Sequence, residues 1–122
     1  MPCEPSSVRR ARQLVSSALC AWGMDDDLAA TGELIVSELM TNTIDHTRCR
    51  EAQVVVQRRL ENLVRIGVAD RDGNLPEMDD KPGDDADCGR GLLLVDQLSY
   101  RWGYDLLRHG KVVWAECAME AP

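Results

Sequence analysis

Three groups of residues in this chain have types and spacings that could do chemistry. Glu38, Asn42 and His46 stand four residues apart in turn. On a helix that spacing puts all three on one face, one turn apart. A carboxylate and an amide on an otherwise apolar helix are costly to bury without partners, so the face is either a polar seam toward solvent or a site. The second group lies in "GVADRDGNLP", where Asp70, Asp72 and Asn74 alternate. That alternation fits the start of a calcium loop, or a strand that runs into a turn with one carboxylate aimed at a ligand. The third is "GRGLLLV", with Gly89 and Gly91 just before an apolar run. Backbone N–H groups at a helix start can hold an anion, and the same glycines could simply form a hinge.

The elements that must position these groups follow from the patterning. "PSSVRRARQLVSSALCAWG" predicts a first helix, with Val8, Ala11, Val15, Leu19 and Trp22 in one apolar stripe. Ser6 or Ser7 is the expected cap and Gly23 the expected stop. "MDDDLAATGELIVSELMTNTIDHT" predicts a second helix capped by one of Asp25 to Asp27. Leu34, Ile35, Val36, Leu39, Met40 and Ile44 make it apolar around much of its girth, so it should be largely buried. "AQVVVQRRL" and "LVRIGVAD" predict two strands turned at Glu61-Asn62. Val64, Ile66, Val68 and Asp70 share a parity, so Asp70 should face the core at the strand's end.

Beyond Pro76 the character changes. "EMDDKPGDDAD" carries six acids and one Lys around Pro82 and Gly83, the composition of a mobile loop. "LLLVDQL" then predicts a short helix, and "YRWGYDLL" and "KVVWAECAM" two more strands turned at His109-Gly110. The order α, α, β, β, loop, α, β, β implies an α/β (α+β) two-layer sandwich. Its sheet should be mixed, mainly antiparallel, with four or five strands and three helices on one face.

Bulk properties narrow the function. The 122 residues suit a single domain, 1–122. With Phe absent, the core must be filled by Leu, Val, Ile and three Trp. A net charge of −7 argues against direct binding to nucleic acid or an anionic membrane. No run of about 18 apolar residues exists to span a bilayer, and the N-terminal stretch lacks an apolar signal core. Five widely spaced cysteines without a CxxC read as free thiols of a cytoplasmic protein. A calcium loop needs Gly at its sixth position and Glu at its twelfth. Counted from Asp70 these are Leu75 and Lys81, and the flanks predict a strand and a loop rather than two helices.

Taken in order, the motifs resemble the Bergerat (GHKL) ATP-binding superfamily of gyrase, histidine kinases and MutL. They are most similar to the single-domain anti-sigma-factor serine kinases of actinobacteria and their relatives. "VSELMTN…H" resembles the first ATP box, SELVTNAxxH. "VADRDGNLP" resembles the second, with Asp six residues before Pro. "GRGLLLVDQLSYRWG" resembles the third, and "GKVVWAE" the last strand. The likeness runs from Ser7 to Glu116. It implies that ATP and Mg²⁺ bind, with Asn42 as the metal ligand and Asp70 accepting a hydrogen bond from the adenine amino group. Gly73 would let the turn bend. Gly89, Arg90, Gly91 and Leu92 would approach the phosphates, residues 77–91 would form an acidic ATP lid, and His46 is a further candidate phosphate contact. Glu38 would be the general base of phosphoryl transfer.

The resemblance also implies partners: a STAS-domain anti-anti-sigma protein as phosphoryl acceptor and a sigma factor as the regulated target. This makes the chain a candidate protein serine/threonine kinase in transcription regulation. Some residues depart from the pattern. Asp72 and Asn74 stand where the wider superfamily keeps glycines, and Val112 and Val113 stand where a Thr is frequent. These departures favour a second reading, a catalytically weak nucleotide-binding module that controls a partner protein. The chain also has little room for a strand before the first helix, so the sheet edge is expected to be bare and open to homodimer pairing.

Overall fold

The computed structural model describes residues 1–46, 50–71, 93–108 and 110–118. Helix α1 spans Pro5–Ala21 and α2 spans Asp26–His46. Strands β1 (Gln53–Leu60) and β2 (Leu63–Asp70) follow. A short helix, α3, covers 93–98. Strands β3 (Arg101–Leu107) and β4 (Gly110–Ala118) complete the fold. The four strands form one sheet in the order β1-β2-β4-β3, and every neighbouring pair is antiparallel. Two hairpins are thus joined through their second strands, which places β2 and β4 at the centre. The α/β sandwich anticipated from the element order is the observed architecture.

Each helix end has an identifiable cause. Glu4 holds an extended backbone before α1 and Pro5 occupies the first turn, with no side-chain cap. Neither Ser6 nor Ser7 is therefore the cap: proline's fixed φ starts the helix earlier, and Ser7 is buried inside it. Gly23, at φ 73°, ends α1. Its N–H donates to the Cys20 carbonyl, and the Met24 N–H donates to that of Leu19, which together form a Schellman motif. Asp25 caps α2, its Oδ1 accepting the Leu28 N–H at 2.7 Å.

The core lies between the helices and one face of the sheet. Ala11, Val15 and Leu19 of α1 and Ile35, Val36, Leu39 and Met40 of α2 are buried with Val64, Ile66 and Val68 of β2. Leu34 points the other way and is exposed, so the girth of α2 is less fully covered than its composition suggests. At the β1 edge, Pro2 forms an antiparallel bridge to Glu51, and the Cys3 N–H donates to the Arg50 carbonyl. The edge expected to be bare is met at its start by residues 1–3.

The register of the central pair organises both faces. On the helix side, Val64 pairs with Cys117, Ile66 with Ala115, Val68 with Val113 and Asp70 with Lys111. Apolar couples fill that column until its last place. Cys117, at the opposite end beside Val64, is buried; burial, with the nearby Glu116 charge, pushes its thiol up to about 12, which makes it a poor nucleophile. Cys20 and Cys117 are free cysteines.

On the opposite face, Glu116 is almost fully buried between its cross-strand neighbours Arg65 and Arg101. Both arginines bond its carboxylate, Arg65 from 3.0 Å. The Arg65 guanidinium also lies 4.0 Å from the centre of the Trp114 ring, a cation–π contact.

The bond from Arg101, followed by those from Arg65, holds the Glu116 carboxyl below the usual glutamate range despite its burial. A carboxyl lowered by folding stabilises the fold above its unfolded pKa and loses that contribution as pH falls through the folded value. Glu116→Gln should therefore cost about 1.5–3 kcal/mol near neutral pH and much less in acid. Urea melts of the two proteins at both conditions check this, and an equal difference at both would disprove it.

Candidate functional site

The site begins with Asp70 at the C-terminal end of β2. Its parity with Val64, Ile66 and Val68 turns it toward the helix layer, where it is 5% exposed. Opposite it, Lys111 enters from the first turn of β4 and is equally buried. Lys111 Nζ donates to Asp70 Oδ1 at 3.2 Å. This closes the apolar column with an ion pair, since a carboxylate in that position needs a buried counter-charge.

The backbone is locked at the same point. Gly110 has φ 145°, and a Cβ there would lie 1.9 Å from the Asp70 carbonyl oxygen. Only glycine lets β4 come this close to Asp70. The β3–β4 turn therefore delivers Lys111 to one place.

Helix α2 brings the second group to the same end of the sandwich. The chain leaves α2 at His46 and resumes in β1 at Gln53, whose partner is Ala69. The C-terminal half of α2, with Glu38 and Asn42, thus lies toward the Asp70 end of the sheet. Both side chains are half-buried. Burial raises the Glu38 carboxyl above its ordinary value, because a partly desolvated site disfavours the charged form. Thr43 beside them is buried, and its hydroxyl bonds the Leu39 carbonyl at 3.0 Å, so it packs as part of the helix.

The donor set bears on a metal. Among the described residues no three His, Cys, Asp or Glu side chains gather to hold an ion. Mg²⁺ keeps several waters and takes one or two protein oxygens besides substrate phosphate; Asn42 can offer one such oxygen.

Two hollows on the described surface bear on the choice of site. One, of about 460 Å³, is lined by Asp25, Leu28, Thr31, Ser99, Tyr100 and Cys117 at the other end of the sheet. The second, about 500 Å³, borders Asp70 and opens between Gln53, Ala69, Arg71, Leu107 and Arg108. Chemistry rather than size makes the Asp70 end the candidate.

Connectivity thus puts the stretch of α2 that carries Glu38 and Asn42 toward the end of the sheet where Asp70 lies. Gly73, Gly89, Arg90, Gly91, Leu92 and the acidic stretch 77–91 lie outside the described residues, as does the His46 side chain. Lys111 is the residue that motif reading missed. Its signal was parity: it alternates with Val113, Ala115 and Cys117, yet it is a charged residue on the core side.

Comparisons with known proteins bear on the fold and the family. The chain superposes on the histidine kinase domain of the Erythrobacter litoralis blue-light activated histidine kinase with a TM-score of 0.54 at 20% identity. That match covers 97% of this chain and 61% of the other. It is also similar to full-length ShkA in complex with AMPPNP, with a TM-score of 0.61 at 20% identity. There the whole of this chain is covered, and 32% of ShkA. The chain therefore spans less than two thirds of either kinase structure, and at these identities the likeness is one of fold. A search of curated proteins gave no match. The profile described as "Histidine kinase-like ATPase domain" matches residues 1–117, nearly the entire sequence, and the chain belongs to that family of ATP-binding domains.

Proposed function

We propose that the protein is an ATP-binding regulatory kinase of the anti-sigma type, which transfers phosphate to a serine or threonine of a STAS-domain partner. The observation that carries this reading is the placement of Asp70. It is a buried carboxylate at the end of a central strand, on the face and at the end where α2 supplies Glu38 and Asn42. Asp70 accepts a hydrogen bond from the adenine amino group. Asn42 would hold Mg²⁺, which neutralises phosphate charge when bound. Residues 77–91 act as the lid over the nucleotide, and the sigma factor is the regulated target.

Glu38 is suited to the proton step. The acceptor hydroxyl oxygen forms a bond to the γ-phosphorus, the bond from that phosphorus to the ADP oxygen breaks, and Glu38 takes the hydroxyl proton. A carboxylate raised by burial is a stronger base than one in water. The half-buried position of Glu38 leaves it open to an incoming side chain.

The second reading, a module that binds nucleotide without transferring phosphate, draws on Val113. It lies on the Asp70 side of β4 and is buried, so no hydroxyl from that position helps hold the base. In this reading ATP only changes affinity for a partner.

Two measurements test these readings. Asp70→Asn should weaken Mg-ATP binding about 10-fold or more by calorimetry, the value of a hydrogen bond to a charged group. Circular dichroism must show the variant folded, because the change leaves Lys111 without its counter-charge; unchanged affinity removes Asp70 from the site.

Glu38→Gln should lower phosphate transfer from labelled ATP to a STAS partner by about 10²–10⁴-fold with ATP affinity retained. Acid protonates the base, so wild-type transfer should fall as pH drops, with a midpoint above the ordinary glutamate value of 4.5. ATP binding without any transfer by the wild type would favour the second reading.

A further inference from the structure

We infer that Lys111 is the positioning residue for adenine recognition: it fixes the Asp70 carboxylate so that the site selects purines bearing a 6-amino donor. This rests on the reading of Asp70 as the adenine contact.

A carboxylate at a strand end can turn about two side-chain bonds. Here the Lys111 ammonium anchors Oδ1 at 3.2 Å. The anchor itself cannot drift. Lys111 pairs directly with Asp70 in the β2–β4 register, and the neighbouring Gly110 packs against the Asp70 backbone too closely to admit a Cβ. Lysine donates and never accepts, whereas a carboxylate can accept from several donors at once. One oxygen can thus be held by Lys111 while the group still accepts from a ligand. The pair is also neutral as a unit, which suits an uncharged base better than a lone buried carboxylate would.

A purely structural ion pair predicts something different. It would affect folding, but not the choice between two nucleotides of the same charge and size. The test therefore compares ATP with purine riboside triphosphate, which lacks the 6-amino group. Calorimetry is run on the wild type, Asp70→Asn, Lys111→Met and Lys111→Arg, each checked for folding by its thermal melt. The wild type should prefer ATP about 10- to 100-fold, as expected for a bond to a charged acceptor. Lys111→Met should lose most of that preference, and Lys111→Arg should recover part of it. Where the methionine variant does not fold, Lys111→Gln replaces it; its side chain is one bond shorter, so the preference should fall in the same direction. A folded Lys111→Met or Lys111→Gln variant with the full wild-type preference overturns the inference, provided Asp70→Asn has lost it. If the wild type shows no preference, or Asp70→Asn keeps it, the reading of Asp70 itself fails and the role of Lys111 fails with it.

Discussion

Two opposite charges buried against each other at the end of the central strands set the terms for the rest of this molecule. Asp70 and Lys111 are both almost fully enclosed, and their charged atoms are 3.2 Å apart. At an effective dielectric of about 20, that separation corresponds to roughly 5 kcal/mol of attraction. Removing two ions from water costs several kcal/mol for each, so attraction and desolvation nearly cancel. The pair therefore adds little to net stability over an apolar couple of similar volume. Losing one partner is another matter, since a lone buried charge costs about 3–5 kcal/mol. The pair thus constrains more than it stabilises. It forces β2 and β4 into a single register, and with that register every residue of the two central strands is assigned to a face.

The consequences differ on the two faces. Toward the helices the register lines up Val64, Ile66 and Val68 against Cys117, Ala115 and Val113, the floor on which α2 rests. Away from them it sets Arg65 beside Glu116, with Arg101 of β3 on the other side. A slip of β4 by one residue against β2 would pair Glu116 with Val64 and bring it into the apolar core, while Lys111 would turn away from Asp70. Both ion-pair systems thus oppose the same error from opposite sides of the sheet. The helix layer depends on it, because the end to which α2 carries Glu38 and Asn42 is defined only relative to the Asp70 end of β2.

How much of this was legible in the sequence depends on the range of the interaction. The inward face of Asp70 follows from a period of two within eight residues, and the turn at Glu61-Asn62 from residues next to each other. Both are local, and both can be read directly. The start of α1 is also local, but Pro5 competes with Ser6 and Ser7 for it; the ring's fixed φ places the first turn ahead of the serines. The core-side parity of Lys111 is local too, but its pairing with Asp70 could not be read in this way. Lys111 is 41 residues from Asp70 in the chain, and its meaning depends on a strand pairing that no neighbouring residue specifies. The motif around it is recognisable in "GKVVWAE", but its distinctive departure lies at Val112 and Val113, and Lys111 carries no motif position of its own.

Adjacent residues on a strand face opposite ways, so Val112 and Val113 cannot both border a ligand on one face. The register puts Val113 on the helix side with Asp70 and puts Val112 opposite Ala69 on the other. Only Val113 shares the helix-side face with Asp70. Its neighbours on the same face are Lys111 and, across the strand, Val68. A hydroxyl there would have met apolar surface on one side and a charged pair on the other. With the ammonium of Lys111 already bonding Asp70, the polar contact at this end of the sheet is made by the ion pair. The valine extends the apolar column up to that pair.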